Sequence, residues 1–437
     1  MLAKNYYQSF KILNRVSSKN RVDRVLIYWI LSVFSIVLYQ FVNAGFHNVL
    51  LYTMYLVPFI FLFKYKHFYI TDLSLLGVFV LMLLTYFIQP ITFRLATVAY
   101  SGLFFITFFL YKTLCRSGAI NPNDYIRFIR FIIYAYAIVL IIQQIQVTFG
   151  LYVFNKQAWI FDNKYKLNSL SMEPSNTLLI LPLMMFSYVK SIAILRKELR
   201  YNIVNNFKKD KYVWIAFLYI CLTCGSMTAF FSLPIFFLYF VDKKAIIYIP
   251  FIFLLGLFVY ISIKPEGKLN ARFLNLTHSL GGDTKKIIDQ DVSASVRIIP
   301  YIEYFKSFNV SDYSTWFGHG IDQFEVYSSK LILGDSYSKE KKIGAKSILA
   351  LFYDHGIVTG LLFFFFLLKN TTKRFLSFET LFYITLFSVI PLNHYILWLY
   401  IMMMFTNKYL AKKSISKKIP LKQIIYYENR HRCEVVF

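Results

Sequence analysis

The chain has 437 residues, 57% of them hydrophobic and only 16% charged, and its mean hydropathy is +0.52. That balance excludes an ordinary soluble globular protein, and the lack of period-two alternation excludes a membrane barrel, so an all-α, polytopic membrane helix bundle is expected. The net charge of +26 is read as basic residues flanking the spans on the cytoplasmic side, where anionic headgroups attract them, and no nucleic-acid partner is expected.

Residues 1–24 form a basic segment carrying Lys4, Lys11, Arg15, Lys19, Arg21 and Arg24, without the small-residue pattern of a cleaved signal. The apolar run that follows is therefore expected to be a retained first span. Runs long enough to cross ~30 Å of hydrocarbon recur about twelve times. Nine fall within residues 25–263: Val25–Val42, Asn48–Phe63, Thr71–Ile88, Leu95–Tyr111, Phe128–Phe149, Leu170–Val189, Tyr212–Cys224, Ser226–Phe240 and Ala245–Ile263. Three more fall within 346–406, namely Ser347–Leu368, Phe375–Ile390 and Leu392–Thr406, and 407–437 is a basic tail.

Orientation follows from the lysines and arginines of the connections. With a cytoplasmic N-terminus, the inner loops collect Lys64, Lys66, Lys112, Arg116, Lys190, Arg196, Lys197, Lys243, Lys244, Lys369 and Arg374, and the tail follows them. The positive-inside bias thus predicts both termini in the cytoplasm. It also places the long polar interruption, residues 264–345, as one large extracytoplasmic loop, which points to work done at the outer face of the membrane.

Ionisable residues within or beside spans are costly and so become candidates for function. Arg94, Glu173, Asp354 with His355, and His394 all fall on the outer side of this topology. In Ser169-Leu170-Ser171-Met172-Glu173-Pro174-Ser175-Asn176, Pro174 suits the first turn of a helix and sets Glu173 beside its partly positive N-terminus. That carboxylate either caps the helix or is held there to orient a hydroxyl or pair with an arginine. In the long loop, Ser295–Phe308 has near-helical apolar spacing suited to a membrane surface. Arg272 and Arg297 flank an acidic segment with Asp283, Asp289 and Asp291, and an arginine fork matches phosphate geometry. Trp316-Phe317-Gly318-His319-Gly320-Ile321-Asp322-Gln323-Phe324 reads as a glycine-pinned turn carrying an imidazole and a carboxylate. Cys221 and Cys224 share a helix face inside a span, where packing is the simpler reading than redox chemistry.

Three stretches together are similar to the O-antigen polymerase and ligase superfamily of bacterial membrane glycosyltransferases. They are Met172-Glu173-Pro174-Ser175, then Ser293-Ala294-Ser295-Val296-Arg297 with Phe317-Gly318-His319-Gly320 and Phe324, then Ser347 to Gly360 opening the span after the loop. Ligases of that superfamily typically carry a histidine just ahead of this last span; Gly344-Ala345-Lys346-Ser347 has none, which favours the polymerase branch. Near Cys224-Gly225-Ser226-Met227, Met227 stands where the family often has arginine.

The resemblance implies transfer of a growing glycan from undecaprenyl diphosphate to the non-reducing end of the next lipid-linked repeat unit, as in O-antigen or capsule synthesis. It implies no cofactor and no metal, although Asp289-x-Asp291 leaves a divalent ion open. Arg94, Arg272 and Arg297 are then the candidates for holding the diphosphate. Glu173, Asp354 and His319, in that order, are the candidates for the base, and Asp322 and His394 for contact with the acceptor glycan. Expected partners are the undecaprenyl-diphosphate-linked oligosaccharide, membrane lipids, a chain-length regulator and a flippase. A ligase of the same superfamily, a lipid-linked oligosaccharide flippase, and a non-catalytic component of envelope assembly are the other readings.

Overall fold

The computed structural model describes residues 21–38, 53–64, 73–88, 95–156, 167–198, 201–224, 228–240, 299, 302, 304–306, 308–333, 348–372, 374–375, 377–387 and 390–416. Every regular element among them is helical: α1 Arg21–Ser35, a short 3-10 turn Thr53–Tyr55, α2 Leu56–Lys64, α3 Leu73–Ile88, α4 Leu95–Arg116, α5 Pro122–Thr148, α6 Pro174–Arg196, α7 Ile203–Thr223 and α8 Thr228–Leu238. They continue with α9 Tyr313–Phe317, α10 Gln323–Leu333, α11 Leu349–Thr371, α12 Phe378–Phe387 and α13 Tyr395–Ser416. Four stretches among the described residues are long and apolar enough to cross a membrane: Thr97–Arg116, Pro122–Thr148, Pro174–Arg196 and Leu349–Thr371.

Several boundaries differ from those read by hydropathy. The span expected from Leu170 begins at Pro174, because a proline with no N–H fits the first helical position while residues 169–173 are used in turns. The span expected to end at Thr406 runs on to Ser416, with Lys408, Lys412 and Lys413 near the partly negative end of the helix. Helix α7 starts nine residues before Tyr212, through a polar first part. Hydropathy marks the apolar slab, whereas a helix continues until a stop signal. Helix α5 starts at such a signal: Pro122 is its first residue, and the Asn121 side chain accepts from the Asn123 amide at 3.1 Å.

Two helices form the axis. In α6, 17 of 23 residues are buried, so it is enclosed on all sides rather than on one stripe; α13 is buried without interruption from Tyr395 to Asn407. They run parallel: the Tyr400 hydroxyl donates to Leu179 O at 2.8 Å, and Asn407 Nδ2 to Ser187 Oγ at 3.0 Å. Helix α4 lies parallel to α13 through Trp398 against Phe104 and Phe105 and the Tyr111–Thr406 hydroxyl pair at 2.6 Å. Helix α11 is parallel to α4, with Phe108 edge-on to Phe366 and Lys112 Nζ 3.0 Å from Asn370 Oδ1. Helix α5 runs antiparallel to α6, from Arg130 at Tyr188 to Gln143 at Ser169.

These directions put the first turns of α4, α6, α11 and α13 at one end of the bundle and Lys112, Arg116, Lys190, Arg196, Lys369, Lys408 and Lys413 toward the other. At the basic end, Lys408 Nζ donates to the carbonyls of Lys369 and Thr372 at 2.7 and 2.6 Å and so closes the C-terminus of α11. The outer surface of α5 exposes Phe131, Ile138, Ile142 and Ile145, an apolar stripe with no cover among the described residues. In water such a stripe would drive association; in hydrocarbon it needs no partner.

Within the bundle, Lys190 on α6 and Glu379 on α12 form an ion pair whose side chains are only 17% and 9% exposed. Lys190→Met is expected to destabilise the folded protein by ~3–5 kcal/mol, because it leaves the carboxylate buried without its cation. Thermal unfolding in detergent should show that loss, and the double variant Lys190→Met/Glu379→Leu should recover most of it.

Candidate functional site

The N-terminal turns gathered at one end of the bundle bring two clusters of polar side chains together there. The first is built where α9 and α10 dock on the start of α11. Helix α9 is begun by Asp312, whose carboxylate accepts from the Ser314 amide at 3.1 Å, and is ended by Gly318 at φ 94°. The Ser314 bonds, with His319 nearby, hold the Asp312 carboxyl below the usual range.

Gly318 and Gly356 are where two backbones meet. A Cβ on Gly318 would lie 2.2 Å from Asp354 O, and one on Gly356 would lie 2.1 Å from Trp316 O. Gly356 interrupts α11 at φ 82°, ψ 168°, a conformation open essentially to glycine alone. The turn then pairs with the kink: His319 N donates to Tyr353 O at 2.9 Å and Gly320 N to Asp354 O at 3.1 Å.

This interlock sets His319, Asp322 and Asp354 around one turn. The Asp354 carboxylate, 7% exposed, accepts from the Phe324 amide at 2.7 Å and so caps α10 from another helix. Asp322, at φ 61°, accepts from the Thr97 hydroxyl, 3.0 and 3.2 Å from its two oxygens, in the first turn of α4. His319 lies flat on Tyr353, ring centroids 4.1 Å apart, and Tyr327 stacks on Tyr353 at 5.1 Å. His319 Nδ1 is 3.1 Å from Tyr353 O and Nε2 is 3.1 Å from Ser314 Oγ. A carbonyl only accepts, so Nδ1 carries a proton toward Tyr353 O, and in the neutral ring Nε2 accepts from the Ser314 hydroxyl.

The second cluster lies at the starts of α6 and α13. Glu173 occupies the N-cap position of α6 but makes no capping bond; its carboxylate accepts instead from Ser175 Oγ at 2.9 Å and stays half-buried. It is within electrostatic reach of the Tyr395 hydroxyl. His394 stacks on Tyr395 at 4.6 Å, and its Nδ1 accepts from the Ile396 amide at 3.3 Å. Arg94, Arg272 and Arg297, the residues expected to hold a diphosphate, lie outside the described residues.

Hydropathy and charge did not single out the neutral amides that brace this second cluster. Gln143 Oε1 accepts from Ser169 N at 2.8 Å, and Asn155 Nδ2 donates to Val37 O and Ser169 O at 3.0 and 2.9 Å. Asn168 Nδ2 donates to Asn155 O at 2.8 Å, and Ser169 Oγ donates to Tyr136 O at 2.6 Å. Each amide is fully buried, so each fixes the path of the chain into Glu173. A glutamine inside an otherwise apolar span was the available signal. Lys156, next to Asn155, is 4% exposed, and burial lowers its pKa. Cys221 and Cys224 are buried free thiols. Among the described residues no group of three His, Cys, Asp or Glu side chains is placed to hold a metal ion.

Comparison with protein-family models, with curated proteins and with solved structures finds no match to this chain.

Proposed function

We propose that the chain is a membrane glycosyltransferase that polymerises lipid-linked oligosaccharide repeat units at the outer face of a bacterial cytoplasmic membrane. The observation that carries this reading is the gathering of Glu173, His394, His319, Asp322 and Asp354 at one end of an apolar helical bundle with Lys112, Arg116, Lys190, Arg196, Lys369, Lys408 and Lys413 toward the other. In this reading the chain crosses the membrane about twelve times, both termini are cytoplasmic, and residues 264–345 are the extracytoplasmic loop that delivers His319 and Asp322.

The chemistry assigns a proton and a leaving group. The acceptor hydroxyl gives its proton to a base as its oxygen bonds to the anomeric carbon of the donor glycan. The bond from that carbon to the diphosphate breaks, and undecaprenyl diphosphate departs with its electron pair. Glu173 suits the base, since its carboxylate is half-buried and is not occupied by capping. Asp354 suits positioning better than proton transfer, because the Phe324 amide occupies it. Arg94, Arg272 and Arg297 are the proposed diphosphate contacts, Asp322 and His394 the proposed acceptor contacts, and a flippase and a chain-length regulator the proposed partners.

Electrophoresis of surface polysaccharide tests the assignment. A strain lacking the protein should show one repeat unit on its anchor, restored to a ladder by the wild type but not by Glu173→Gln or Arg297→Ala at equal abundance. Complete absence of anchored sugar in the null strain would instead indicate a ligase or a flippase, and an unchanged ladder would remove the polymer-assembly reading.

A further inference from the structure

The segment leading into the glycine turn exposes an unusual amount of aromatic surface. Phe305 is 66% exposed, Phe308 40%, Tyr313 60%, and Trp316 and Phe317 39% each. They are held in place locally: Tyr313 stacks on Phe317 at 4.6 Å, Trp316 Nε1 donates to Val310 O at 2.8 Å, and Phe305 and Phe308 both pack on Tyr304. None of this is needed for docking, which is done by the buried Tyr304, Phe324 and Leu349 and by the paired glycines.

The position of the patch says what it faces. The Phe317 carbonyl lies 3.4 Å from the Thr85 hydroxyl near the end of α3, and α9 packs on the start of α11. Both helices turn apolar side chains outward below this point: Leu73 and Leu84 on α3, and Leu361 and Phe365 on α11. The aromatic surface therefore lies at the level where these two apolar helices end. Tryptophan and tyrosine collect at that level because their rings prefer the boundary layer while the indole N–H and phenol O–H keep polar partners.

We propose that Phe305, Phe308, Tyr313, Trp316 and Phe317 form a membrane-interface anchor, seated in the headgroup layer of the phospholipid bilayer, that holds the His319 turn at the bilayer boundary. Phe305, Phe308 and Val310 supply much of the surface, and the exposed Asn309, Ser311 and Asp312 between the rings suit the hydrated headgroup layer.

A nitroxide at position 313 reads this directly. Tyr313→Cys would be labelled in full-length protein carrying Cys433→Ser, since Cys115, Cys221 and Cys224 are buried, and reconstituted in phospholipid nanodiscs. Relaxation by dissolved oxygen, which concentrates in lipid, is expected to exceed relaxation by a water-soluble nickel chelate several-fold. Phe305→Cys should behave likewise, and Leu361→Cys serves as the deep lipid reference. Dominance of the nickel chelate at both positions would mean a water-facing surface and would overturn the anchor. Low accessibility to both reagents would mean that protein, this chain or a second copy, covers the patch, and would overturn it equally. Size-exclusion monodispersity of each variant confirms that a folded protein is being read.

Discussion

Alanine in place of Gly356 is expected to separate the 313–324 segment from α11 and, in the proposed function, to abolish polymer formation while leaving the protein in the membrane. The left-handed backbone at this position costs a non-glycine residue ~1–3 kcal/mol. The added methyl would also stand 2.1 Å from Trp316 O, a backbone atom that cannot move without carrying the turn with it. Displacing the turn breaks the bonds from His319 N and Gly320 N, each contributing ~1 kcal/mol. Limited proteolysis within residues 308–333 should accelerate, and thermal unfolding should begin earlier. Gly77→Ala is the control: its Cβ would meet only the flexible tip of Leu362, so proteolysis and polymer length should stay near wild type. Wild-type protease resistance in Gly356→Ala would mean that the interlock does not hold the turn.

Removing the Asp354 carboxylate should have the second largest effect, and the choice of replacement separates two roles. Asp354→Ala leaves the Phe324 amide buried without its acceptor, a loss of ~1–3 kcal/mol. Asp354→Asn keeps an oxygen at the same place and should retain most of the fold. If Asp354 only positions the His319–Asp322 turn, the asparagine variant forms polymer at a rate within a few-fold of wild type. If it takes the proton, the asparagine variant is folded and inactive. Ladder density in cells with matched protein abundance decides between them, and the structure favours the first outcome.

Local features of the sequence carried much of this architecture. Pro174 marked a helix start, the glycines at 318 and 320 marked a turn, and hydropathy marked α4, α5, α6 and α11 as long apolar helices. Each is a property of neighbouring residues. The pairings that give the candidate site its geometry are not. Thr97 meets Asp322 across 225 positions, and Asp354 meets the Phe324 amide across 30. A glycine such as Gly356, inside a helical pattern, signals only a modest loss of propensity and not the backbone contact that requires it. The buried amides Gln143, Asn155 and Asn168 were overlooked for a different reason. Searching for ionisable residues leaves aside neutral side chains, although these impose the same demand for hydrogen-bond partners.

The parallel pairing of α6 with α13 also bears on how the protein is made. More than two hundred residues separate Tyr400 from the Leu179 carbonyl it binds, and α13 is the last described helix. During synthesis α6 enters the membrane early, yet it lacks one wall until α13 has been made, and so do Glu173 and its neighbours. Long-range closure of this kind is slow and leaves intermediates exposed. A chain interrupted before Tyr395 thus carries Glu173, His319 and Asp354 but not the helix that walls in Glu173, so the two polar clusters are completed at different stages of assembly.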